Sequence, residues 1–320
     1  ALWRRSLLRS LERSTSWALI NGMDDGTQSC GIFVCNGSVH RIWVKDRCHT
    51  GFMLDYPVTR FGAVGDGKTD CTEAIAAAIT AASRHERSFR HAQRPIVRFP
   101  SGGVFLTRPF NLSSHLIVEI DGTILAAIGE EMERRWPRIP PLPTYGRDRD
   151  GAKKQRHQAL LMGTAAEDIV IRGGGTIDGQ GAWWWERRHH LRAGRPHLIE
   201  LYNCTRVEVA GITLRDSPFW TVHPVYSEQI HLHHLTIRAP LYSPNTDGLD
   251  PDSSRHVMIE HNDISCGDDH IAIKVFSAPS AVYPLCSSPG QCGLVHCMEP
   301  LALARAPLMR ALALACTHAR

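Results

Sequence analysis

Val207-Glu208-Val209 leads through Gly211 into Ile212-Thr213-Leu214. Ile230-His231-Leu232 leads through His233-His234 into Leu235-Thr236-Ile237, and Val257-Met258-Ile259 leads into Asn262-Asp263-Ile264. Each unit is a short β-branched strand, a tight turn carrying Gly, Asn or His, and a second short strand. The units begin at 207, 230 and 257, so the steps are 23 and 27 residues. Steps of roughly 20–45 residues per unit mark a solenoid. Strands this short, with no helix between them, predict a parallel β-helix rather than alternating β/α units. The structural rival is an antiparallel sandwich. That fold would place hairpin turns between sequence-adjacent strands, which these units do not favour.

The same unit extends toward the N-terminus. Leu116-Ile117-Val118-Glu119-Ile120 precedes Gly122-Thr123-Ile124-Leu125, and Ile169-Val170-Ile171 precedes Gly174-Gly175-Thr176-Ile177. Ile96-Val97-Arg98-Phe99 reads as a strand ending at Pro100. Before it, Asp70 with Glu73 forms a potential capping box, and 74–82 is rich in Ala with Ile75 and Ile79 on one face. A helix over 70–83 is expected near the N-terminal end of the coils. Two longer insertions, 129–157 and 180–197, are expected to project from one face and wall a groove. The second carries Trp183-Trp184-Trp185. Three consecutive tryptophans cannot all face one core, so one could stack on a sugar ring, although packing is the commoner fate. The expected organisation is an unassigned extension over 1–54, a β-helix domain over 55–276 that is incomplete at its C-terminal end, and an unassigned tail of non-native character over 277–320. Both ends are expected to pack loosely.

Composition narrows the function. A net charge of +4 over 320 residues is small, permitting an acidic ligand without arguing for nucleic acid. The ten cysteines include no CxxC pair with a matching partner pair, so no zinc site is expected, and disulfide connectivity is left open. Residues 1–20 are Arg-rich without an uninterrupted apolar stretch, so no signal peptide is read there. The Ala/Leu-rich 301–316 is interrupted by Arg305, Pro307 and Arg310, which argues against a membrane span. Asn36-Gly37-Ser38, Asn111-Leu112-Ser113 and Asn203-Cys204-Thr205 are glycosylation sequons if the protein is secreted.

The chemistry lies in Asn245-Thr246-Asp247-Gly248 and Gly267-Asp268-Asp269. Taken singly, Asp-Gly and Gly-Asp are turn formers. Taken jointly, on turns of neighbouring parallel coils, Asp247 lands beside Asp268 and Asp269 on one face. Clustered carboxylates suit acid/base hydrolysis of a glycosidic bond. Three close carboxylates cannot all ionise cheaply, so at least one pKa should rise. Asp247, Asp250 and Asp252 hint at an ion loop, but Met258 stands where an EF-hand needs Glu, so calcium is not expected. No cofactor or metal is expected. His231, His233 and His234 read as surface ladder residues rather than ligands.

Five stretches together resemble the polygalacturonases, glycoside hydrolase family 28, and most of all the plant and bacterial exo-type members. They are 61–70; Gly173-Gly174-Gly175-Thr176-Ile177-Asp178-Gly179-Gln180-Gly181 with the tryptophans; Ser217-Pro218-Phe219-Trp220 with His223-Pro224-Val225-Tyr226; 243–253; and Cys266-Gly267-Asp268-Asp269 with Ile271-Ala272-Ile273-Lys274. They cover the region of about 55–276, 222 of the 320 residues. The resemblance implies a right-handed, single-stranded, pectin lyase-like parallel β-helix. It implies hydrolysis of α-1,4 links between galacturonates in pectin or polygalacturonate, with inversion, by a secreted or cell-wall monomer. It matches Asp268 to the general acid and Asp247 and Asp269 to the pair that activates water. Asn245, His223 and Lys274 are the expected substrate-binding residues. Coil spacing of about 4.8 Å is shorter than the ~6.5–9.5 Å usual between inverting carboxylates, so inversion is implied by the resemblance alone.

Two family elements differ. Where the family has Gly-His-Gly, this sequence reads Ser288-Pro289-Gly290-Gln291-Cys292-Gly293, with His296 outside that context, and no Arg-Ile-Lys follows. Because Arg pairs strongly and specifically with carboxylate, its loss predicts weak or absent turnover by this 320-residue chain. The rival readings are a pectate or pectin lyase on the same fold and a non-catalytic β-helix that binds acidic glycan.

Overall fold

The computed structural model describes residues 17–24, 29–35, 38–43, 54–88, 94–142 and 155–275. From Asp55 onward the chain winds through three parallel sheets, visiting each in turn. The first sheet holds seven strands: Asp55–Pro57, Ile96–Phe99, Leu116–Ile120, Glu167–Arg172, Thr205–Ala210, Glu228–His233 and Arg255–Glu260. The second also holds seven, from Asp66–Asp70 to Asp263–Ser265, and the third holds four, from Phe110–Asn111 to Val222–Val225. This is the expected right-handed parallel β-helix. The pairs across 205–265 are parallel, which removes the sandwich alternative.

The coils are held by apolar ladders. Inward positions align as Val97, Val118, Ile171, Val209, Leu232 and Ile259 in the first sheet. In the second they align as Phe105, Ile124, Ile177, Leu214, Ile237 and Ile264. In the third, Phe110, Leu161, Ile199, Val222, Leu249 and Ile271 stack. Most are fully buried. Each such side chain contributes about 1.5–3 kcal/mol of burial, and each coil needs its neighbours to obtain it. The bends between sheets repeat as well. Entry to the first sheet passes a left-handed residue at Ala165, Asn203, Tyr226 and Ser253, with φ of 48°, 53°, 50° and 50°. One bend conformation, reused coil after coil, keeps the strands in register.

The N-terminal helix spans Thr72–Ser88, two residues later than expected at its start and longer at its end. Asp70 is the last residue of a strand, and its carboxylate accepts from the Thr72 backbone N–H at 3.0 Å. Its other oxygen takes Arg108 Nε at 3.0 Å, while Glu73 lies 3.8 Å from the Arg108 guanidinium instead of closing a capping box. Ile75, Ala78, Ile79 and Ala82 are buried against the first coils.

The insertions contain regular structure. Glu130–Arg135 and Gly181–Arg187 are short helices, and Arg138–Ile139 pairs antiparallel with Arg156–His157. Trp184 and Trp185 are buried, and Trp183 is half-buried against the core with its ring 5.0 Å from Trp184. Trp184 and Trp185 are therefore packing, and Trp183 alone of the three is partly open to solvent. Trp17–Asp24, Ser29–Cys35 and Ser38–Trp43, which show no period in sequence, form three strands paired antiparallel in order. Cys71, Cys204 and Cys266 are buried free thiols. Among the described residues no helix is long and apolar enough to cross a membrane. The expectations for 277–320, including 301–316, lie outside the described residues.

Candidate active site

The third sheet ends in two rungs that are bridges rather than strands. Leu249 pairs with Val222 and Ile271, and Asp252 pairs with Val225 and Lys274. The expected strand at Ile271-Ala272-Ile273 is thus present only as this sparse pairing. Asn245 to Asp252 and Gly267 to Lys274 are neighbouring turns of the coil, joined by Gly248 N–H to Asp269 O at 2.9 Å and Leu249 N–H to His270 O at 3.1 Å.

That stacking brings the three predicted carboxylates together. Asp247, Asp268 and Asp269 each place one oxygen within 4.8 Å of the other two. Asp247 is buried at 5% exposure, whereas Asp268 and Asp269 are exposed. The site is therefore a buried carboxyl beneath two open ones. The turns approach closely because of two glycines. A Cβ on Gly267 would stand 2.0 Å from Ser243 O, and one on Gly248 would stand 2.5 Å from His270 O. Gly267 N–H also donates to Thr246 Oγ1 at 2.9 Å. Asn245, at φ 54°, donates from Nδ2 to Asp268 Oδ2 at 3.2 Å.

The other two predicted site residues lie below the carboxylates. Lys274, expected to bind substrate, is only 7% exposed. Its ammonium bonds Asp250 Oδ1, stands 3.4 Å from Asp247 Oδ2, and sits 4.0 Å above the Trp220 ring. His223 is 1% exposed, with Nε2 3.4 Å from Asp252 Oδ2 and Nδ1 3.6 Å from Glu200 Oε2. The structure thus gathers Asn245, Asp247, Asp268 and Asp269 at the surface turns. It buries Lys274 against Asp247 and Asp250, and His223 against Asp252 and Glu200, rather than opening either to solvent. Asp250 and Asp252 are engaged by Lys274 and His223, while Asp247, Asp268 and Asp269 lie close enough together to hold a cation in geometry.

Beneath this layer runs a buried charged row that sequence reading did not place. Glu200 is fully buried and takes both Arg156 guanidinium nitrogens, one at 2.8 Å. Its neighbours are His197 and His223, whose rings lie 4.6 Å apart. Burial pushes the Glu200 carboxyl up, but Arg156, His223 and His197 outweigh it and hold it below the ordinary range. Burial pulls His197 well down, and the neighbouring His223 adds to that. Burial pulls on His223 too, but the Asp252, Glu200 and Asp250 carboxylates raise it on balance. The result is one imidazole favoured charged beside one favoured neutral. His197, Glu200 and His223 could in geometry hold a cation. Yet Arg156 already occupies both Glu200 oxygens and would repel one. The signal available in sequence was Glu200 itself, a carboxylate inside the apolar run Leu198-Ile199-Glu200-Leu201. A charge there needs a buried partner.

Asp247 and Asp250 share the single Lys274 ammonium, so one of them holds a proton more readily than a free carboxyl. Burial pushes Asp250 up to about 8, with Lys274 opposing and Asp247 adding. Burial also raises Asp247, with Lys274 opposing and the Asp268 charge adding. In the unfolded chain these carboxyls release their protons near pH 3.8. Between that pH and about 8 the native state binds a proton that the unfolded state has lost. The contribution of this group to stability therefore falls as pH rises across that window and levels above it. The urea midpoint of the wild type is expected to fall relative to that of Asp250→Asn as pH rises from acid toward 8. Equal slopes in the two proteins would contradict the proton assignment.

The family model for glycosyl hydrolases family 28 matches residues 97–291. The chain is 41% identical over 236 residues to a Vitis vinifera protein named "Probable polygalacturonase", covering 72% of this chain and 45% of that one. It is 29% identical to the endo-polygalacturonase of Pectobacterium carotovorum, covering 66% of this chain and 56% of that one. In structure it is similar to the exopolygalacturonase of Thermotoga maritima, with a TM-score of 0.56 and 26% identity, covering 72% of this chain and 55% of that one. The chain spans about half the length of the curated relatives it matches.

Proposed function

The chain belongs to glycosyl hydrolases family 28, and from that premise we propose that it hydrolyses α-1,4-galacturonosidic bonds in pectin or polygalacturonate. The observation that carries this reading is the convergence of Asp247, Asp268 and Asp269 from two adjacent turns. Asp268 is the general acid that protonates the leaving oxygen. Asp247 and Asp269 activate the attacking water. The raised Asp247 carboxyl supports a site that holds and passes protons, since it sits partly desolvated against the Asp268 charge. Asn245 lies at the rim and orients Asp268, while Lys274 and His223 contribute from below. Inversion is part of the proposal by family likeness. An oxygen separation within 4.8 Å is by itself nearer the closer pairing of retaining sites. In this reading the protein acts as a secreted or cell-wall monomer on an acidic polysaccharide.

The test is product analysis on polygalacturonate with the purified chain. Hydrolysis yields new reducing ends with no gain in ultraviolet absorption. A lyase yields an unsaturated, absorbing product, and its detection would overturn the proposal.

A further inference from the structure

We propose that Arg195 is a positioning residue of the carboxylate cluster, acting on Asp268 through the side chain of Asn245. The inference rests on the hydrolytic reading for its catalytic meaning, but its geometry stands independently. Arg195 is 2% exposed. Its backbone neighbour Gly194 is bonded on both sides to the 155–157 segment, by Gly194 N–H to Gln155 O at 2.9 Å and His157 N–H to Gly194 O at 2.9 Å. The side chain then crosses to the catalytic turn. Nη1 donates to Pro218 O at 3.1 Å and to Pro244 O at 2.7 Å, and Nη2 donates to Asn245 Oδ1 at 2.9 Å. The guanidinium lies 4.6 Å over the Phe219 ring, which holds its plane.

A guanidinium only donates. The Asn245 atom facing it must therefore be the carbonyl oxygen, and the amide nitrogen must face the other way. That nitrogen is the atom 3.2 Å from Asp268 Oδ2. A carboxyl oxygen that carries no proton only accepts, and Oδ2 is the one facing the amide nitrogen, so both ends of the amide agree on one orientation. Arg195 thus fixes the backbone before Asn245, through Pro244 O, and the flip of its side chain together. Asp268 is exposed, and its Oδ1 accepts from the Asp269 backbone N–H at 3.0 Å; through this chain its other oxygen gains a donor held from the buried interior. A lysine could not serve three acceptors from one plane, so Arg195→Lys keeps the charge and removes the device.

The test is a double-mutant cycle on the full chain, with kcat and KM measured on polygalacturonate for the wild type, Arg195→Lys, Asn245→Ala and the pair. Arg195→Lys is expected to lower kcat about 10–100-fold with little change in KM. In the Asn245→Ala background the same exchange is expected to change kcat less than about twofold. Equal losses in both backgrounds would overturn the proposal. A second readout needs no turnover. In nitrogen-labelled protein, the Asn245 side-chain amide signal is expected to move in Arg195→Lys and in Asp268→Ala. An amide signal unmoved by either exchange would also overturn it. A chain without hydrolysis but with both amide shifts would defeat the proposed function and leave the positioning contact standing. Should Arg195→Lys fail to fold, Asp268→Ala at the exposed end of the chain still decides whether Asn245 bonds Asp268.

Discussion

Replacing Asp268 by Asn is expected to lower polygalacturonate hydrolysis by about 100- to 10,000-fold while leaving the denaturation midpoint nearly unchanged. The carboxyl is exposed, and its contacts are one amide donor from Asn245 and its neighbour's backbone N–H at 3.0 Å. An Asn side chain fits the same space without transferring a proton. Asp247→Asn is expected to match it in activity but not in stability. Asp247 is buried beside Lys274, so its replacement changes the charge balance of the interior as well as the chemistry. Reducing-sugar release and urea unfolding, measured on the same two variants, separate the roles. An Asp268→Asn protein with wild-type turnover would remove Asp268 from the acid role.

Lys274→Met carries the largest expected stability loss, about 3–5 kcal/mol above about pH 8, where it leaves two ionised buried carboxyls without their cation, and a smaller loss at neutral pH, where Asp250 already holds a proton. The side chains of Asp250, Asp247 and Lys274 are 0%, 7% and 6% exposed, so solvent offers little compensation. The carboxyls would respond by binding protons, which steepens the dependence of stability on pH. Adding Asp250→Leu to Lys274→Met is expected to recover part of the loss by removing one stranded carboxyl. Urea unfolding of the single and double variants checks this. A Lys274→Met protein as stable as the wild type would show that the ammonium does not compensate these carboxyls.

The coils were legible because their signal is local and repeated. Val207-Glu208-Val209, Ile230-His231-Leu232 and Val257-Met258-Ile259 alternate inward and outward within a few residues, and each supports the same register. The carboxylate cluster was legible because Asp247 and Asp268 sit on equivalent turns one coil apart. Side-chain contacts between residues far apart in sequence were not. Arg195 meets Asn245 50 residues later, and Arg156 meets Glu200 44 residues later. Alternation says which face a residue takes but not which side chain from another coil it meets. The same limit explains Lys274 and His223. Their strand positions fit a substrate-facing reading, but the buried Asp250, Asp252 and Glu200 around them draw them inward. The insertion helices Glu130–Arg135 and Gly181–Arg187 were missed because elements this short depend on packing more than on periodicity.

The most direct measurement is hydrolysis of polygalacturonate in water enriched in heavy oxygen, with products weighed by mass spectrometry. The expected result is one solvent oxygen on each new reducing end, no unsaturated product, and loss of that labelling in Asp268→Asn. Unsaturated products without solvent oxygen, or labelling that persists unchanged in Asp268→Asn, would contradict acid/base hydrolysis at the Asp247, Asp268 and Asp269 cluster.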